Sequence, residues 1–360
     1  MKEIPVIIFG AGGVGQALIQ QIIDGRLCVM ERNNCRFNVI AVADSKHWLW
    51  YTSGLSDQEL VELITNKRRG LPLMPYAEIE PSPLAILDLA ATAELQDVIV
   101  VDATAVNGME PVLDCAIELN YNVVLANKKP FAGSWQSAQK YFNHPRIRHE
   151  STVGGGQPVI ATLRYLLDVN DPIYQIEGQL SGTLGFINGR LDHNTPFSQA
   201  IAEAKAQGFT EPDPREDLSG MDVMRKVMIL GRMAGWPLTQ NDIKVESLYP
   251  TAMASLSVAE FMDSTPQLDA AMQARVDAAA QAGNVLRYVA QLAEGRGTVG
   301  LQPIPASSPL ANLKYISFRT GRYNDEPLLI GGKGAGVEMT AAGVLGDMIA
   351  LVREMGYQVG

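Results

Sequence analysis

The sequence predicts a two-domain α/β protein whose first domain is built on a doubly wound parallel sheet. Its length of 360 residues suits two domains of ordinary size. The apolar run 4–9 leads directly into a glycine-rich turn and then into a periodic apolar stretch that continues to Ile23. Further apolar runs alternate with helical stretches over the first 150 residues, which is typical of parallel strands joined by helices.

After this first strand, turn and helix, the same patterns predict the remaining elements in chain order. The first domain contains predicted strands at 37–43, 98–103 and 122–126 and a helix at 111–118. A loop at 152–158 opens the second domain, with predicted helices at 158–167, 196–207, 217–234 and 272–284 and strands at 173–180, 287–292, 298–303 and 328–330. A second glycine-rich turn, 331–336, precedes an apolar helix that ends near Met355 and returns to the first sheet. The predicted domains are therefore 1–150, completed by about 332–360, and 151–331.

Composition and charge exclude several classes of protein. Acidic residues outnumber basic ones by 39 to 29, and the net charge of −10 disfavours binding to a nucleic-acid backbone. The three cysteines, Cys28, Cys35 and Cys115, form neither an even set nor a CxxC pair, which indicates a reducing compartment. The first apolar run is too short for a signal peptide, and no run approaches the roughly 18 residues that cross a bilayer. We expect a soluble, cytoplasmic protein without a nucleic-acid or membrane partner.

The glycine-rich turn has the GxGxxG spacing of a dinucleotide-binding site, at Gly10, Gly12 and Gly15. In this pattern the first glycine allows the tight turn, the second lets the backbone approach a pyrophosphate, and the third allows close packing of helix on strand. Because the turn lies between a strand and a helix, we interpret the first domain as Rossmann-type, with cofactor contacts from Gly13 and Val14 as well. The alternative is an incidental glycine turn.

Two more candidate cofactor positions lie at the ends of predicted strands. Asp44 follows the second strand, where a carboxylate can accept hydrogen bonds from ribose hydroxyls and would favour NAD. Lys46 and His47 come next and would suit the 2′-phosphate of NADP, and a solvated acidic turn is a third interpretation. Lys128 follows the strand at 122–126, at the edge where open α/β sheets bind ligands. It is either a solvated surface charge or a lysine that contacts the cofactor or polarises a carbonyl.

The segment 208–232 is rich in charged residues. Four acidic residues precede a predicted helix: Glu211, Asp213, Glu216 and Asp217. They either complement the helix dipole or form a pocket for an ammonium group. Asp222 and Lys226 are four residues apart on one helical face, with the acid first. An exposed pair of this kind contributes only about 0.3 to 0.5 kcal/mol, but the apolar neighbours indicate a partly sheltered pair that could serve catalysis.

At these residues the sequence resembles the homoserine dehydrogenase family. The segments that carry the resemblance are FGAGGVG, VVLANKKPFAG, HESTVGGGQPVI, IEGQLSGTLGFI, GFTEPDPREDLSGMDVMRKVMILGR and GAGVEMTAAGVLGD. The resemblance implies a nucleotide-binding domain, a mixed α/β catalytic and dimerisation domain, and a homodimer. The implied activity is the reversible reduction of L-aspartate 4-semialdehyde to L-homoserine with NADH or NADPH, in threonine, isoleucine and methionine biosynthesis.

The resemblance also assigns roles to residues at matching positions. It implies that Lys226 is the catalytic lysine, supported by Asp222, and that Lys128 lies beside the nicotinamide and the substrate. The implied substrate-binding residues are Gly208, Glu211, Asp217 and Lys226. The implied cofactor contacts, beyond the glycine turn and Asp44, are Thr104, Lys128 and Gly336. A monovalent cation, usually sodium, is implied at Glu150, Val153, Gly155 and Gln157, mostly through backbone carbonyls.

Two positions depart from the pattern of the family. Phe186 stands where a tyrosine is common, and Lys333 lies in the last glycine-rich turn, where it can influence the preference for a phosphorylated cofactor. We expect neither a regulatory ligand-binding domain nor a fused aspartate kinase. We therefore expect no threonine inhibition of the kind that works through such a domain.

Two other functions remain open on the sequence. Aspartate-semialdehyde dehydrogenase is built on similar halves but needs a cysteine nucleophile, and Cys115 lies in an apolar helical stretch that indicates a buried thiol. A dinucleotide-sensing module without catalysis would leave the lysine and acid pair on the helix unexplained. The four histidines show no HExxH spacing and no GxSxG motif occurs, which excludes zinc and serine hydrolases of those types.

Overall fold

The chain forms two units, each with its own sheet. The structure is a computed structural model and describes residues 1–74, 78–79 and 82–356. Unit 1 consists of Met1–Ala161 and the segment that begins at Gly334, and unit 2 consists of Thr162–Lys333. The last four residues of the predicted return segment 332–360 lie outside the described residues. Among the described helices, none is both long enough and apolar enough to cross a membrane.

Unit 1 alternates strands and helices, as the apolar runs predict. Its elements before the unit boundary are β1 Lys2–Phe9, α1 Gly13–Asp24, α2 Arg26–Asn33, β2 Cys35–Ala43, β3 His47–Trp50, α3 Asp57–Arg68, β4 Glu78–Ile79, α4 Pro83–Thr92, β5 Ile99–Asp102, α5 Glu110–Glu118, β6 Asn122–Leu125, α6 Lys129–Ala132, α7 Trp135–Ala138, β7 Ile147–Arg148 and the start of α8 Val159–Asp168. The strands form one sheet in the order β4-β3-β2-β1-β5-β6-β7. From β2 to β7 all pairs are parallel, so the doubly wound sheet is confirmed for these strands.

At one edge, two antiparallel strands extend the parallel sheet. There β3 pairs antiparallel with β2, and β4 pairs antiparallel with β3. The reason is the turn after β2, where the Asp44 side chain accepts hydrogen bonds from the backbone N–H groups of Lys46 and His47, at 2.7 Å each. An aspartate that binds its own backbone two and three residues on reverses the chain, so the next segment forms a hairpin with β2.

The C-terminal helix returns to the first sheet, as predicted. This helix, α15 Val337–Glu354, buries Val344, Met348 and Leu351 in the same apolar cluster as Ile8 of β1 and Leu18 of α1. Strand β1 is buried on both faces over its second half, which is why its sequence is an unbroken apolar run. The two helices that meet there cover one face of the strand, and the glycine turn joins β1 to α1 at this point.

Unit 2 is a mixed α/β unit. Its elements are the rest of α8, then β8 Ile173–Gly178, α9 Gly182–Leu191, α10 Phe197–Ala206, α11 Arg215–Leu218, α12 Met221–Met233, β9 Ile243–Val245, α13 Val258–Ser264, α14 Asp269–Gln281, β10 Asn284–Ala293, β11 Arg296–Pro305, β12 Tyr315–Thr320 and β13 Leu328–Gly331. The strands form a sheet in the order β13-β12-β8-β10-β11-β9. All its pairs are antiparallel except β11 with β9.

Unit 2 differs from the sequence prediction in several places, and β9, β12 and α13 were not predicted. The helix predicted at 217–234 is two helices, because Gly220 between them has a left-handed φ of +73°. A side chain there would meet the Tyr288 hydroxyl at 2.0 Å, so the break is built into the packing. Helix α9 was not predicted, because its ten residues include three glycines, which have low helix propensity.

Candidate active site

The glycine turn of unit 1 has the backbone that a pyrophosphate needs. Gly10 has a φ of +104°, and a side chain there would meet the backbone of Ala103 at 2.7 Å. A Cβ on Gly15 would lie 1.9 Å from the carbonyl oxygen of Gly10, so α1 lies directly against the turn. Gly12, by contrast, has no atom within 4 Å on its Cβ side, which leaves open space over the N-terminus of α1. Gly13 and Val14 lie in the first turn of α1, and that first turn contains no acidic residue.

Asp44 is already bound by groups of its own unit. Its Oδ2 lies 2.5 Å from the ammonium nitrogen of Lys67, and its Oδ1 takes the two backbone N–H groups of the turn. Partial burial raises the pKa of this carboxyl, but the hydrogen bonds from Lys67, Lys46 and His47 outweigh it, so the pKa lies below its usual value. The His47 ring nitrogen Nδ1 is 3.6 Å from Oδ1. The carboxylate is therefore ionised and paired with the Lys67 ammonium, which sequence reasoning missed.

A buried carboxylate organises the loops that carry Thr104 and Lys128. Asp102, at the end of β5, accepts hydrogen bonds from the Thr104 hydroxyl at 2.7 Å and from the Asn127 amide at 3.0 Å. Asn127 in turn accepts one from the backbone N–H of Lys129 at 3.1 Å, so the backbone is held on both sides of Lys128. Burial raises the pKa of Asp102, and the hydrogen bonds from Thr104 and Asn127 offset only part of that rise. Sequence reasoning missed Asp102 and Asn127, although polar residues at two strand ends were a usable signal.

The loop predicted to bind a cation is held within unit 1. The Glu150 carboxylate accepts hydrogen bonds from the backbone N–H groups of Val159, Ile160 and Ala161 at 2.7 to 2.8 Å, which caps α8. These bonds join Glu150 to the first residues of α8, which belong to unit 1 up to Ala161. Because the carboxylate is occupied in this way, a cation would have to be bound by carbonyl oxygens.

The other predicted members of this loop lie close together in the chain. Gly155 has a left-handed φ of +63°, and its carbonyl accepts a hydrogen bond from the Ser151 hydroxyl at 3.0 Å. Val153 is buried, and the Gln157 side chain lies against Gly334, where an added Cβ would be 2.6 Å from its Oε1. Within the described ranges, no group of three or more His, Cys, Asp or Glu side chains could hold a metal ion. Gly336, which precedes α15, has a φ of +117°.

Lys226 is anchored in unit 2 by two partners. Its ammonium lies 2.8 Å from Oδ2 of Asp222, as the spacing on one helical face predicts, and donates to the carbonyl oxygen of Leu180 at 2.9 Å. The Lys226 side chain is 16% exposed and that of Asp222 is 37% exposed. Most residues of α12 from Val223 to Met233 are buried, but Lys226 is only partly buried and its side chain extends to the segment that follows β8. The result is an oriented ammonium with limited access to solvent.

Two of the four clustered acids are joined through Asp217. Its carboxylate accepts hydrogen bonds from the Thr183 hydroxyl at 2.8 Å and from the backbone N–H of Glu211 at 2.9 Å. Burial raises the pKa of Asp217, and these hydrogen bonds only partly offset it. Gly208, with φ of +70°, follows α10 and turns the chain so that the carbonyl oxygen of Phe209 lies 2.6 Å from the Thr183 hydroxyl, where it shares the single hydroxyl proton with Asp217. Sequence reasoning missed Thr183, which no local pattern marks.

The other two acids do not join this group. Asp213 is bound by the guanidinium of Arg215, with the closest pair of atoms 2.6 Å apart, and this interaction lowers the pKa of the Asp213 carboxyl. Glu216 is exposed at the first turn of α11. The acidic cluster is therefore divided, and only Glu211 and Asp217 share a local structure with Thr183.

Comparison with known proteins decides the family. A protein-family model described as homoserine dehydrogenase matches residues 158–349. The homoserine dehydrogenase of Schizosaccharomyces pombe is 34% identical over 98% of this chain and 96% of that protein. The chain belongs to the homoserine dehydrogenase family. The bifunctional aspartokinase/homoserine dehydrogenase 2 of Zea mays is 35% identical over 97% of the chain, but the chain spans only 38% of its length.

A solved structure in the family supports the fold assignment. A hyperthermophilic archaeal homoserine dehydrogenase in complex with NADPH has a TM-score of 0.73 and 25% sequence identity, and the similarity covers 98% of each chain. The Rossmann-type first unit and the mixed α/β second unit are thus those of the homoserine dehydrogenase family.

One departure from the family pattern, Phe186, is compatible with the local structure. Phe186 packs on Phe209, with ring centroids 4.9 Å apart, and so supports the segment that carries Glu211.

The thiol of Cys115 is the candidate nucleophile of the rival dehydrogenase. Burial raises the pKa of this thiol, and the charges of Asp88 and Glu118 raise it further. A raised pKa reduces the thiolate fraction, which is the opposite of what a nucleophile needs.

Proposed function

We propose that the protein is a homoserine dehydrogenase that interconverts L-aspartate 4-semialdehyde and L-homoserine with a nicotinamide coenzyme. The observation that carries the proposal is the Lys226 ammonium, bound to Asp222 and to the Leu180 carbonyl on the unit that also holds Glu211, Asp217 and Thr183. Membership of the family supports this reading over that of a non-catalytic sensing module.

Lys226 serves as the acid and base of this reaction. In reduction, a bound coenzyme would supply the hydride for the aldehyde carbon, and negative charge would develop on the carbonyl oxygen. An ammonium held by Asp222 and Leu180 is oriented before the charge develops, so it stabilises the transition state more than the ground state and donates the proton. In oxidation, the same nitrogen accepts the proton of the alcohol. Lys128 is the second lysine that we assign to the reaction, and within unit 1 Asp102 and Asn127 position its backbone.

Glu211 and Asp217 hold the amino-acid end of the substrate, next to Gly208. Glu211 is an exposed residue, whereas the Asp217 carboxylate is hydrogen-bonded to the Thr183 hydroxyl and to the backbone N–H of Glu211. A carboxylate and an ammonium form charge-assisted hydrogen bonds that are about twice as strong as neutral ones. Asp217 therefore orients the segment, and Glu211 is the residue that contacts the substrate ammonium.

The coenzyme binds at the glycine turn, Thr104 and Gly336, and we propose that it is NADP(H). The open space over Gly12 and the acid-free first turn of α1 suit a pyrophosphate. The Asp44 carboxylate is occupied by Lys67 and by two backbone N–H groups, which leaves it a poor acceptor for ribose hydroxyls. Lys46, His47 and Lys67 together suit a 2′-phosphate, and the NADPH-bound relative supports the same choice.

Replacing Lys67 with alanine should shift the coenzyme preference toward NAD. The change removes a cation from the proposed phosphate site and frees Asp44 for ribose hydroxyls, so the KM for NADP should rise about tenfold, the loss expected for a hydrogen bond to a charged group. The KM for NAD should stay the same or fall. Lys140→Ala, which breaks an exposed ion pair with Asp114 at 2.6 Å, is the matched control. An unchanged NADP to NAD ratio in Lys67→Ala would reject the phosphate site.

We also propose that the protein is a homodimer and that it binds a monovalent cation. Sodium is the expected cation, and its proposed ligands are the carbonyls of Glu150, Val153, Gly155 and Gln157. The left-handed Gly155 and the occupied Glu150 carboxylate support a carbonyl site, and hard cations prefer oxygen ligands. Light scattering would give a mass twice that of one chain for a dimer, and a single-chain mass would reject it. Activity that is equal in sodium and choline chloride would reject the cation.

The experiment that tests the function is an absorbance assay for reduced nicotinamide with L-homoserine and each oxidised coenzyme. We expect turnover with L-homoserine and faster turnover with NADP than with NAD. Coenzyme binding without turnover would favour the sensing module. Turnover of L-aspartate 4-semialdehyde that needs phosphate and produces an acyl phosphate would favour the cysteine-dependent dehydrogenase.

A further inference from the structure

Lys314 lies beside the carbonyl that anchors Lys226. In the antiparallel pairing of β8 and β12, Ile316 is opposite Gly178, and the backbone N–H of Gln179 donates to the carbonyl of Tyr315 at 2.9 Å. The same register places Lys314 opposite Leu180, whose carbonyl accepts the hydrogen bond from Lys226. Neighbouring strands are about 4.8 Å apart. Lys314 therefore lies at the end of the sheet that the Lys226 side chain contacts.

The Lys314 side chain extends toward the first turn of α9. Its Cε is 3.6 Å from the position that a Cβ would take on Gly185, which is ordinary van der Waals contact. Gly185 thus leaves room for the aliphatic stem of the lysine. Thr183, whose hydroxyl contacts Asp217, belongs to the same helical turn. The Lys314 side chain therefore packs against the helix that carries part of the proposed substrate site.

The ammonium of Lys314 is not neutralised by its surroundings. Across the residues that the structure describes, it has neither an ion pair nor a hydrogen bond, whereas Lys226 is paired with Asp222. Partial burial lowers the pKa of Lys314, and the positive charges of Lys226 and Lys333 lower it further. An unpaired cation next to other cations is unfavourable until an anion binds between them.

The substrate of the proposed reaction is such an anion at one end. L-Homoserine presents an ammonium, a carboxylate and a hydroxyl group, and the hydroxyl is separated from the carboxylate by three carbon atoms. Glu211 suits the ammonium, and Lys226 is assigned to the hydroxyl, which leaves the carboxylate without a partner in unit 2. We infer that Lys314 binds the α-carboxylate of the amino-acid substrate and so selects amino acids over simple alcohols. This inference rests on the proposed function.

The test is the kinetics of Lys314→Met, which keeps the length of the side chain and removes its charge. The KM for L-homoserine should rise about 10- to 100-fold, the effect of losing a hydrogen bond between charged groups. We expect kcat within threefold of the wild type and the KM for the coenzyme within twofold. Lys314→Arg should restore most of the affinity, because the charge returns.

A substrate analogue separates carboxylate binding from a structural effect. L-Homoserinamide lacks the negative charge, so its KM, or its Ki as a competitive inhibitor, should be the same for wild type and Lys314→Met. Lys244→Met removes an exposed lysine from β9 of the same unit and should leave all constants unchanged.

Two outcomes would overturn the assignment of Lys314 alone: an active wild type whose Lys314→Met variant keeps its KM for L-homoserine within twofold, or an equal loss of affinity for the acid and the amide. A wild type without turnover on L-homoserine would overturn the proposed function, and this inference with it.

Discussion

Lys226→Ala lowers kcat for the oxidation of L-homoserine by about 10²- to 10⁴-fold, the range that a positioned general acid or base contributes. The KM for the coenzyme should stay within twofold, because Lys226 is not among the residues that we propose to bind the coenzyme. The effect is large because the ammonium is held by Asp222 and Leu180 before the reaction begins, and water that replaces it is neither charged nor oriented. Steady-state and single-turnover kinetics measure the loss.

Chemical rescue makes this prediction sharper. Small primary amines such as ethylamine fit the space left by the deleted side chain and should restore part of the rate in Lys226→Ala. Arg225→Ala, which truncates the preceding exposed residue of α12, should behave like the wild type and show no rescue. Two results would show that Lys226 takes no part in the reaction. One is a kcat of Lys226→Ala within tenfold of the wild type, and the other is equal stimulation of Lys226→Ala and Arg225→Ala by amines.

Local patterns predicted the parts of the candidate site that depend on neighbours in sequence. The four-residue spacing of Asp222 and Lys226 predicted an ion pair, and its atoms are 2.8 Å apart. The GxGxxG pattern predicted that Gly10 and Gly15 stand where side chains would clash, and both do. In each case the relevant geometry is set within one helix or one turn, which is the range over which sequence spacing determines distance.

Contacts between distant segments could not be predicted in this way. Lys67 reaches Asp44 from 23 residues away, and Lys226 reaches Leu180 from 46 residues away. Lys314 comes close to Leu180 only because β8 and β12 are neighbours, and their register depends on the whole sheet. None of these partners carries a motif, since a single lysine or carbonyl near a strand end is common on protein surfaces.

The fold shows the same division between local and distant information. The apolar runs located β1, β2, β5 and β6 to within a few residues, because strands buried on both faces are continuously apolar. The short strand β3 was missed, since His47–Trp50 contains two half-buried tryptophans and no alternation long enough to recognise. Its direction depends on the turn at Asp44, which a count of apolar residues does not register.

Gly15→Ala should cause a large structural effect in unit 1, although it adds only one methyl group. The added Cβ would lie 1.9 Å from the carbonyl oxygen of Gly10. The backbone fixes the position of a Cβ and of a carbonyl oxygen, so neither atom can rotate away as the end of a side chain would. Helix α1 must therefore move off β1, and we expect the free energy of unfolding to fall by about 3 kcal/mol, the upper part of the range for overpacking. The same movement displaces the N-terminus of α1 from the proposed pyrophosphate.

Coenzyme binding should fall with stability in this variant, and a control separates the clash from the change of residue type. Gly346 lies in the middle of α15, is exposed and has no atom within 4 Å of its Cβ position. Gly346→Ala should raise the free energy of unfolding by up to about 1 kcal/mol, because alanine favours the helix. Denaturant titration measures stability, and quenching of protein fluorescence by NADP measures binding. If Gly15→Ala kept both within the range of the Gly346→Ala variant, the close packing of α1 on the turn would not be what positions the coenzyme.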